Sequence, residues 1–217
     1  MEVKNLAWNE ILSKRCNHPL LPPSIRGLII GKFGCGKTTL LINLLLRPGW
    51  LNYNNINSFG KSKFQPEYYI LKKAFEEKLP KEEIIRLFEN RNEITYLGIS
   101  PIYIFEEMTK EITDKSNIVC NFYQSAEDVP DPRELGKNLM VFDDLLLDKQ
   151  NICESYYVRE RHSNVDCFYL SQHYFKLPRQ TIEENPNFIC LFPQDLKNLN
   201  HIFDDHVGSD TTMEEFR

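Results

Sequence analysis

The sequence predicts an α/β fold built on a mostly parallel sheet. Three observations carry that expectation: short apolar runs of strand length, helix-favouring stretches between them, and Gly or Pro at the junctions. Buried strands covered on both faces read as continuous apolar runs, and their alternation with helices is the mark of a parallel sheet.

In order along the chain, Pro19-Leu-Leu-Pro-Pro23 is a stiff entry segment. Arg26-Gly-Leu-Ile-Ile30 follows as a buried strand, and Gly31 ends it in a turn. Lys37 to Leu46 favours helix until Pro48-Gly49 stops it, and Ile56 to Phe59 reads as a second strand. From 61 to 117 the chain is polar and rich in Lys and Glu. It holds two helix-like stretches, Phe64 to Leu71 and Glu82 to Phe88, separated by Pro80. Asn117 to Tyr123 is strand-like, Val129 to Pro132 is a turn, and Leu139-Met-Val-Phe142 is a compact strand. Gln150 to Arg161 predicts a helix, Asp166 to Leu170 a strand, and Phe188 to Phe192 a last core strand. The expected organisation is an entry segment over 1–24 and one domain over 25–217, with 61–117 as a largely helical insertion.

A length of 217 residues suits one domain. At 41% hydrophobic and 26% charged, the chain falls outside the disordered, collagenous and low-complexity classes. No apolar stretch approaches the ~20 residues a membrane span needs. The charged N-terminus is unlike a signal peptide, so a soluble protein made in the cytosol is expected. Twenty-six basic and 31 acidic residues leave a net charge of −5, which argues against bulk polyanion binding but leaves local basic surfaces open. Cys16, Cys35, Cys120, Cys153, Cys167 and Cys190 are scattered without a Cys-x-x-Cys pair, so reduced thiols are expected. His201 and His206 lack the partners a metal site requires.

The chemistry concentrates in Gly31-Lys-Phe-Gly-Cys-Gly-Lys-Thr38, which fits G-x-x-x-x-G-K-[ST], the Walker A pattern, without a mismatch. Gly31, Gly34 and Gly36 allow backbone conformations closed to other residues, so that successive N–H groups point at a polyphosphate. Lys37 places an ammonium between the β- and γ-phosphates. Thr38 offers a hydroxyl to Mg²⁺, and the helix that follows turns its positive end to the anion. The expected nucleotide-binding residues are Gly31, Lys32, Phe33, Gly34, Cys35, Gly36, Lys37, Thr38 and Thr39. Cys35, at a helix N-terminus, is either a small filler or a modifiable thiol.

Asp143-Asp144 follow the Leu139–Phe142 strand. Asp143 is the expected Mg²⁺ holder and Asp144 the group that orients or deprotonates water, although Asp reaches less far than Glu. The next strand ends in Ser171-Gln172, where an amide can donate to a γ-phosphate oxygen and accept from the attacking water. An acidic strand followed at once by a polar one favours a RecA/ASCE-like P-loop NTPase, with an extra strand between the two nucleotide-binding strands. Arg159 and Arg161 fall near a helix C-terminus, where the dipole alone favours cations; the functional reading is an arginine given to a neighbouring subunit's γ-phosphate. Arg179 is a second candidate. Lys61 and Lys63, or Lys72 and Lys73, are either pore-lining cations or members of a solvated, charge-paired helix face.

Together Gly31–Thr38, Leu139–Asp144, Arg161-His162, Tyr169–Gln172, Leu177-Pro178 and Asn185–Phe192 resemble the genome-packaging ATPases of large DNA viruses, virophages and related mobile elements. These belong to the FtsK/HerA superfamily. Ser62–Glu67 is similar to a segment these proteins carry between their first two strands. The resemblance runs from about Pro19 to the C-terminus. It implies a homo-oligomeric ring that hydrolyses ATP with Mg²⁺, Walker A and Walker B motifs to push double-stranded DNA into a capsid at its portal vertex. It also implies a location in the host cytoplasm, at virion assembly sites or in the virion. The chain departs from the family at Glu160, where Gly usually precedes Arg-His, and at Glu183, where the family has Arg. Met213–Arg217 looks like the start of a further element, as if the chain were short beside its relatives. Two other readings stand beside this one: a P-loop phosphotransferase acting on a small molecule, and a nucleotide-gated assembly protein that hydrolyses little.

Overall fold

The computed structural model describes residues 18–53, 55–60, 66–89, 118–145, 151–159, 165–178 and 184–216. Six strands form one sheet: β1 Arg26–Ile30, β2 Asn55–Gly60, β3 Val119–Tyr123, β4 Asn138–Asp143, β5 Val165–Ser171 and β6 Phe188–Leu191. Their order is β3-β2-β4-β5-β1-β6, and all five neighbouring pairs are parallel. Every β4 and β5 residue is buried, as the apolar runs require. The sheet is thus wholly parallel across these strands. Because β5 lies between β4 and β1, the polar strand end sits between the acidic strand end and the loop after β1.

Alternation along the strands divides the core into two layers. One face of the sheet carries Ile29, Ile56, Leu139, Val141 and Leu170. It is covered by α1 (Lys37–Leu46), α2 (Pro66–Glu76) and α3 (Lys81–Glu89) through Leu41, Leu45, Leu71, Phe75 and Ile84. The other face carries Leu28, Ile30, Met140, Phe142 and Tyr169. Against it pack Cys153 of α4 (Asn151–Glu154), Tyr156 and Tyr157 of the widened turn after α4, and Ile202 of α5 (Leu196–His206). Phe216 of the short α6 (Met213–Phe216) joins that layer from the edge. Among the described residues no helix is long and apolar enough to cross a membrane.

The helix expected over 150–161 differs in form. Among its described residues it is α-helical over Asn151–Glu154 and widens to a π-turn over Ser155–Arg159. Within the widened turn two consecutive tyrosines, Tyr156 and Tyr157, are both buried. Tyr156 donates its hydroxyl to Pro130 O at 2.7 Å and Tyr157 to Gly27 O at 2.6 Å. Burial pushes both hydroxyls well above the ordinary tyrosine range. Helix α5 was not legible as an element, although Asp195 caps it by accepting from Asn198 N at 2.9 Å. At the far end of the sheet Asp166 is a buried clamp. Its carboxylate accepts from Ile25 N at 2.7 Å and from the Tyr53 hydroxyl, fixing the entry into β1.

Candidate nucleotide site at the carboxyl ends of the strands

In a parallel sheet every strand's carboxyl end points the same way, so residues distant in sequence meet along one edge. Backbone hydrogen bonds tie those ends together. Gly31 N donates to Ser171 O at 3.0 Å, Asp144 N to Leu170 O at 3.1 Å, and Phe192 N to Ile30 O at 2.9 Å. With strands about 4.8 Å apart, β4 lies roughly 10 Å from β1, within the span of a magnesium–triphosphate.

The loop after β1 has the conformation a phosphate cradle demands. Gly34 and Gly36 hold φ of 73° and 101°, left-handed values that a residue with Cβ rarely adopts. Gly36 is the N-cap of α1 and supplies no side-chain cap, so the first helical N–H groups have no side-chain acceptor at the cap residue. Gly31 behaves otherwise than the sequence suggested. Its φ is not positive, and its need for glycine is spatial. A Cβ there would lie 2.4 Å from Cys35 Sγ and 2.7 Å from Phe192 Cβ. Cys35 therefore has a packing role over Gly31. Lys37 folds back along the loop and donates from Nζ to Gly31 O at 2.6 Å and to Lys32 O at 3.1 Å. Thr38 and Thr39 lie in the first turn of α1, with Thr39 O accepting from Asn43 Nδ2 at 2.9 Å. Phe33, at the loop's apex, is 77% exposed.

Asp143 is the last residue of β4 and is buried. Alternation from Val141 puts it on the face that α1 covers, the side on which Thr38 begins its helix. Gly60 pairs with Asp143 in register, and a Cβ on Gly60 would come 2.7 Å from Asp143 O. Gly60 thus belongs to the site, and sequence reasoning missed it. The available signal was a glycine closing a strand, which often marks a close backbone approach. Asp144 turns sharply out of β4 with φ of 52°. There its Oδ2 accepts a hydrogen bond from Gln172 Nε2 at 2.6 Å, joining the ends of β4 and β5.

Beyond β1, Gln194 closes the rim by donating from Nε2 to Phe192 O at 3.0 Å. Asn198 N–H at the start of α5 holds the Asp195 carboxyl below the usual range, with a smaller contribution from Lys32 in the loop. Gln194 and Asp195 were not among the expected site residues; they follow β6, whose place beside β1 only the strand order reveals. Arg159 ends the widened turn after α4. Arg161, Arg179, Glu160, Glu183, Lys61, Lys63 and residues 62–65 lie outside the described residues. Lys72 and Lys73 both pair with Glu76, at 3.7 and 3.2 Å, on a solvated helix face.

The donors suit a magnesium–nucleotide. Hydroxyl and carboxylate oxygens are the hard ligands Mg²⁺ selects, and left-handed glycines followed by a helix N-terminus are anion-binding geometry. The fold and this loop define an α/β P-loop NTPase fold. No protein-family model matches the chain, and no curated protein matches it. Among solved structures, it is similar to the genome packaging NTPase B204 from Sulfolobus turreted icosahedral virus 2 in complex with AMP. Identity is 10% and the TM-score 0.48, over 91% of this chain and 88% of that one. The same protein in complex with AMPPCP gives 10% identity and a TM-score of 0.43 over the same shares. The large terminase of a thermophilic bacteriophage, in complex with ADP, gives 14% identity and a TM-score of 0.37, over 85% of this chain and 46% of that one. The fold assignment rests on the strand order and the loop themselves.

Proposed function

We propose that this chain is an ATP-hydrolysing motor that moves double-stranded DNA and packages a viral genome. The observation that carries the nucleotide part is the β1 loop, with Gly34 and Gly36 at φ 73° and 101° leading into the N-terminus of α1, on the strand edge where Asp143 and Gln172 also end. The DNA, ring, capsid and FtsK/HerA parts rest on the sequence resemblance.

In this reading the N–H groups of 34–38 and the Lys37 ammonium bind the β- and γ-phosphates. Thr38 and Asp143 would hold Mg²⁺, which would neutralise phosphate charge. Asp144 accepts the proton of the attacking water as its oxygen bonds to the γ-phosphorus and the bond from that phosphorus to the β–γ bridging oxygen breaks. Gln172 orients that water and contacts the γ-phosphate. Gly60 packs closely against the Asp143 backbone, which supports a fixed place for that carboxylate. An arginine among Arg159, Arg161 and Arg179 serves the neighbouring subunit of a ring.

The test is ATP turnover with and without double-stranded DNA, in the native protein and in Lys37→Ala. Loss of the ammonium removes a transition-state contact worth about 3 kcal/mol or more, so turnover should fall at least ~100-fold. Undiminished turnover in Lys37→Ala would sink the site assignment. Tight ATP binding with negligible turnover would favour the assembly-protein reading.

A further inference from the structure

Cys35 and Cys190 are far apart in sequence but meet at one corner of the sheet. Ile29 of β1 pairs in register with Cys190 of β6, and just beyond them Phe192 N donates to Ile30 O. Strand alternation puts Ile29, and Gly31 after it, on the face that α1 covers, where Phe188, Cys190 and Phe192 also pack. Cys35 folds back onto the same patch. A Cβ built on Gly31 would lie 2.4 Å from Cys35 Sγ and 2.7 Å from Phe192 Cβ. Cys190 is one pleat, about 6.6 Å, back along β6 from Phe192. The thiols are close enough to feel each other: burial raises the Cys190 thiol above its ordinary value, and Cys35 raises it further.

The geometry points to a redox-sensitive modification site, in which oxidation joins Cys35 and Cys190 in a disulfide that ties the β1 loop to β6 and deforms the phosphate cradle. The pair stands on geometry alone; its effect on nucleotide binding rests on the function proposed above. Among the described cysteines this pair stands apart. Both of its thiols are partly exposed, whereas Cys153 and Cys167 are 0% exposed and out of an oxidant's reach. Cys120 lies on β3, at the opposite edge of the sheet from β6, and burial pushes its thiol far up. Cys35 is also flanked by Gly34 and Gly36, and the space beside Gly34 is open, so the loop backbone is free to follow its sulfur.

The oxidant is a peroxide. The Cys35 thiolate attacks the O–O bond and becomes a sulfenic acid, while the other oxygen leaves and is protonated to water or an alcohol. Cys190, its thiol held protonated by burial, resolves the sulfenic acid. Its sulfur bonds to the Cys35 sulfur, the S–O bond breaks, and the departing hydroxide takes the Cys190 proton as water. A disulfide holds its Cβ atoms about 3.5–4.5 Å apart. To reach that spacing Cys35 leaves its bed over Gly31, and the N–H groups of 34–36 go with it.

The experiment treats the full chain with hydrogen peroxide or with dithiothreitol. Each sample is digested without reduction and mapped by mass spectrometry, and its affinity for a non-hydrolysable ATP analogue is measured. The oxidised native chain should yield a Cys35–Cys190 cross-linked peptide. It should also lose at least about tenfold in affinity, as displaced amides no longer meet the charged phosphates, and regain it on reduction. Cys190→Ser should bind as the native chain does when reduced, show no cross-link, leave a Cys35 sulfenic acid that dimedone traps, and lose much less affinity. Cys190→Ala guards against a folding defect and should behave alike. Absence of the cross-link, or a cross-link from Cys35 to any other cysteine, overturns the site. An equal loss of affinity in Cys190→Ser, or a cross-link with no loss, overturns the switch. If the reduced native chain binds no nucleotide, the proposed function falls while the peptide map still decides the thiol pair.

Discussion

Three glycines shape the loop after β1, for two different physical reasons. The loop pattern marked Gly31 as a position needing free backbone dihedrals, which holds for Gly34 and Gly36 at φ 73° and 101°. At Gly31 the constraint is space, because Cys35 Sγ and Phe192 Cβ already fill the volume of a methyl group. Gly31→Ala should therefore force the loop off its bed. Overpacking of this kind costs about 1–3 kcal/mol, so nucleotide affinity should drop about 5- to 150-fold while the far-ultraviolet circular dichroism stays native. Titration with a fluorescent ATP analogue checks this, and unchanged affinity would contradict the packing account. Gly60 escaped notice for the same reason: its neighbour Asp143 lies far along the chain, and only the β2–β4 register brings them together.

Among the elements, β1, β4 and β5 were readable because burial on both faces makes their middles continuous apolar runs, whereas β2 and β3 carry Asn57, Ser58 and Asn121. Helix α5 was not readable. Its inward face includes Asn198, 3% exposed, which breaks the apolar period that Ile202 continues. That helix is fastened at its other end by Tyr174, whose hydroxyl lies 3.0 Å from Asp205 Oδ2 and 2.7 Å from His206 Nε2. The hydroxyl donates to Asp205 and shares a second hydrogen bond with the His206 ring. Burial lowers the His206 pKa below its ordinary 6.5, against an upward pull from Asp205. The unfolded chain then takes up a proton near pH 6.5 that the folded chain resists. Stability is full above that pH and falls as the pH drops toward the folded value. Urea midpoints measured between pH 7.5 and 5 should decline, and His206→Gln should flatten the decline. An equal slope in both proteins would refute the assignment.

For the whole molecule, the charge distribution decides how DNA could be held. The chain is net negative, and Lys72 and Lys73 lie on an exposed helix face beside Glu76. Exposed pairs of this kind contribute little to stability. A motor that tracks phosphates must still release counterions. Stimulation of ATP turnover by double-stranded DNA should therefore weaken as salt rises, with log affinity falling about 0.9 per phosphate contact for each tenfold increase. A flat salt response, or no stimulation at low salt, would argue against a DNA motor.

The sequence by itself determined the class of fold, the glycine-rich loop after β1 and the identity of the acidic and polar strand ends. Those features are local, written in consecutive residues whose dihedral freedom, hydrophobicity and charge need no distant partner to be understood. The tertiary structure decided that β5 lies between β4 and β1, that Gly31 and Gly60 are fixed by space, and that Gln172 holds Asp144. Each of those depends on which strands become neighbours. That choice is made by packing the two layers of side chains on the faces of the sheet, with partners tens of residues to more than a hundred apart.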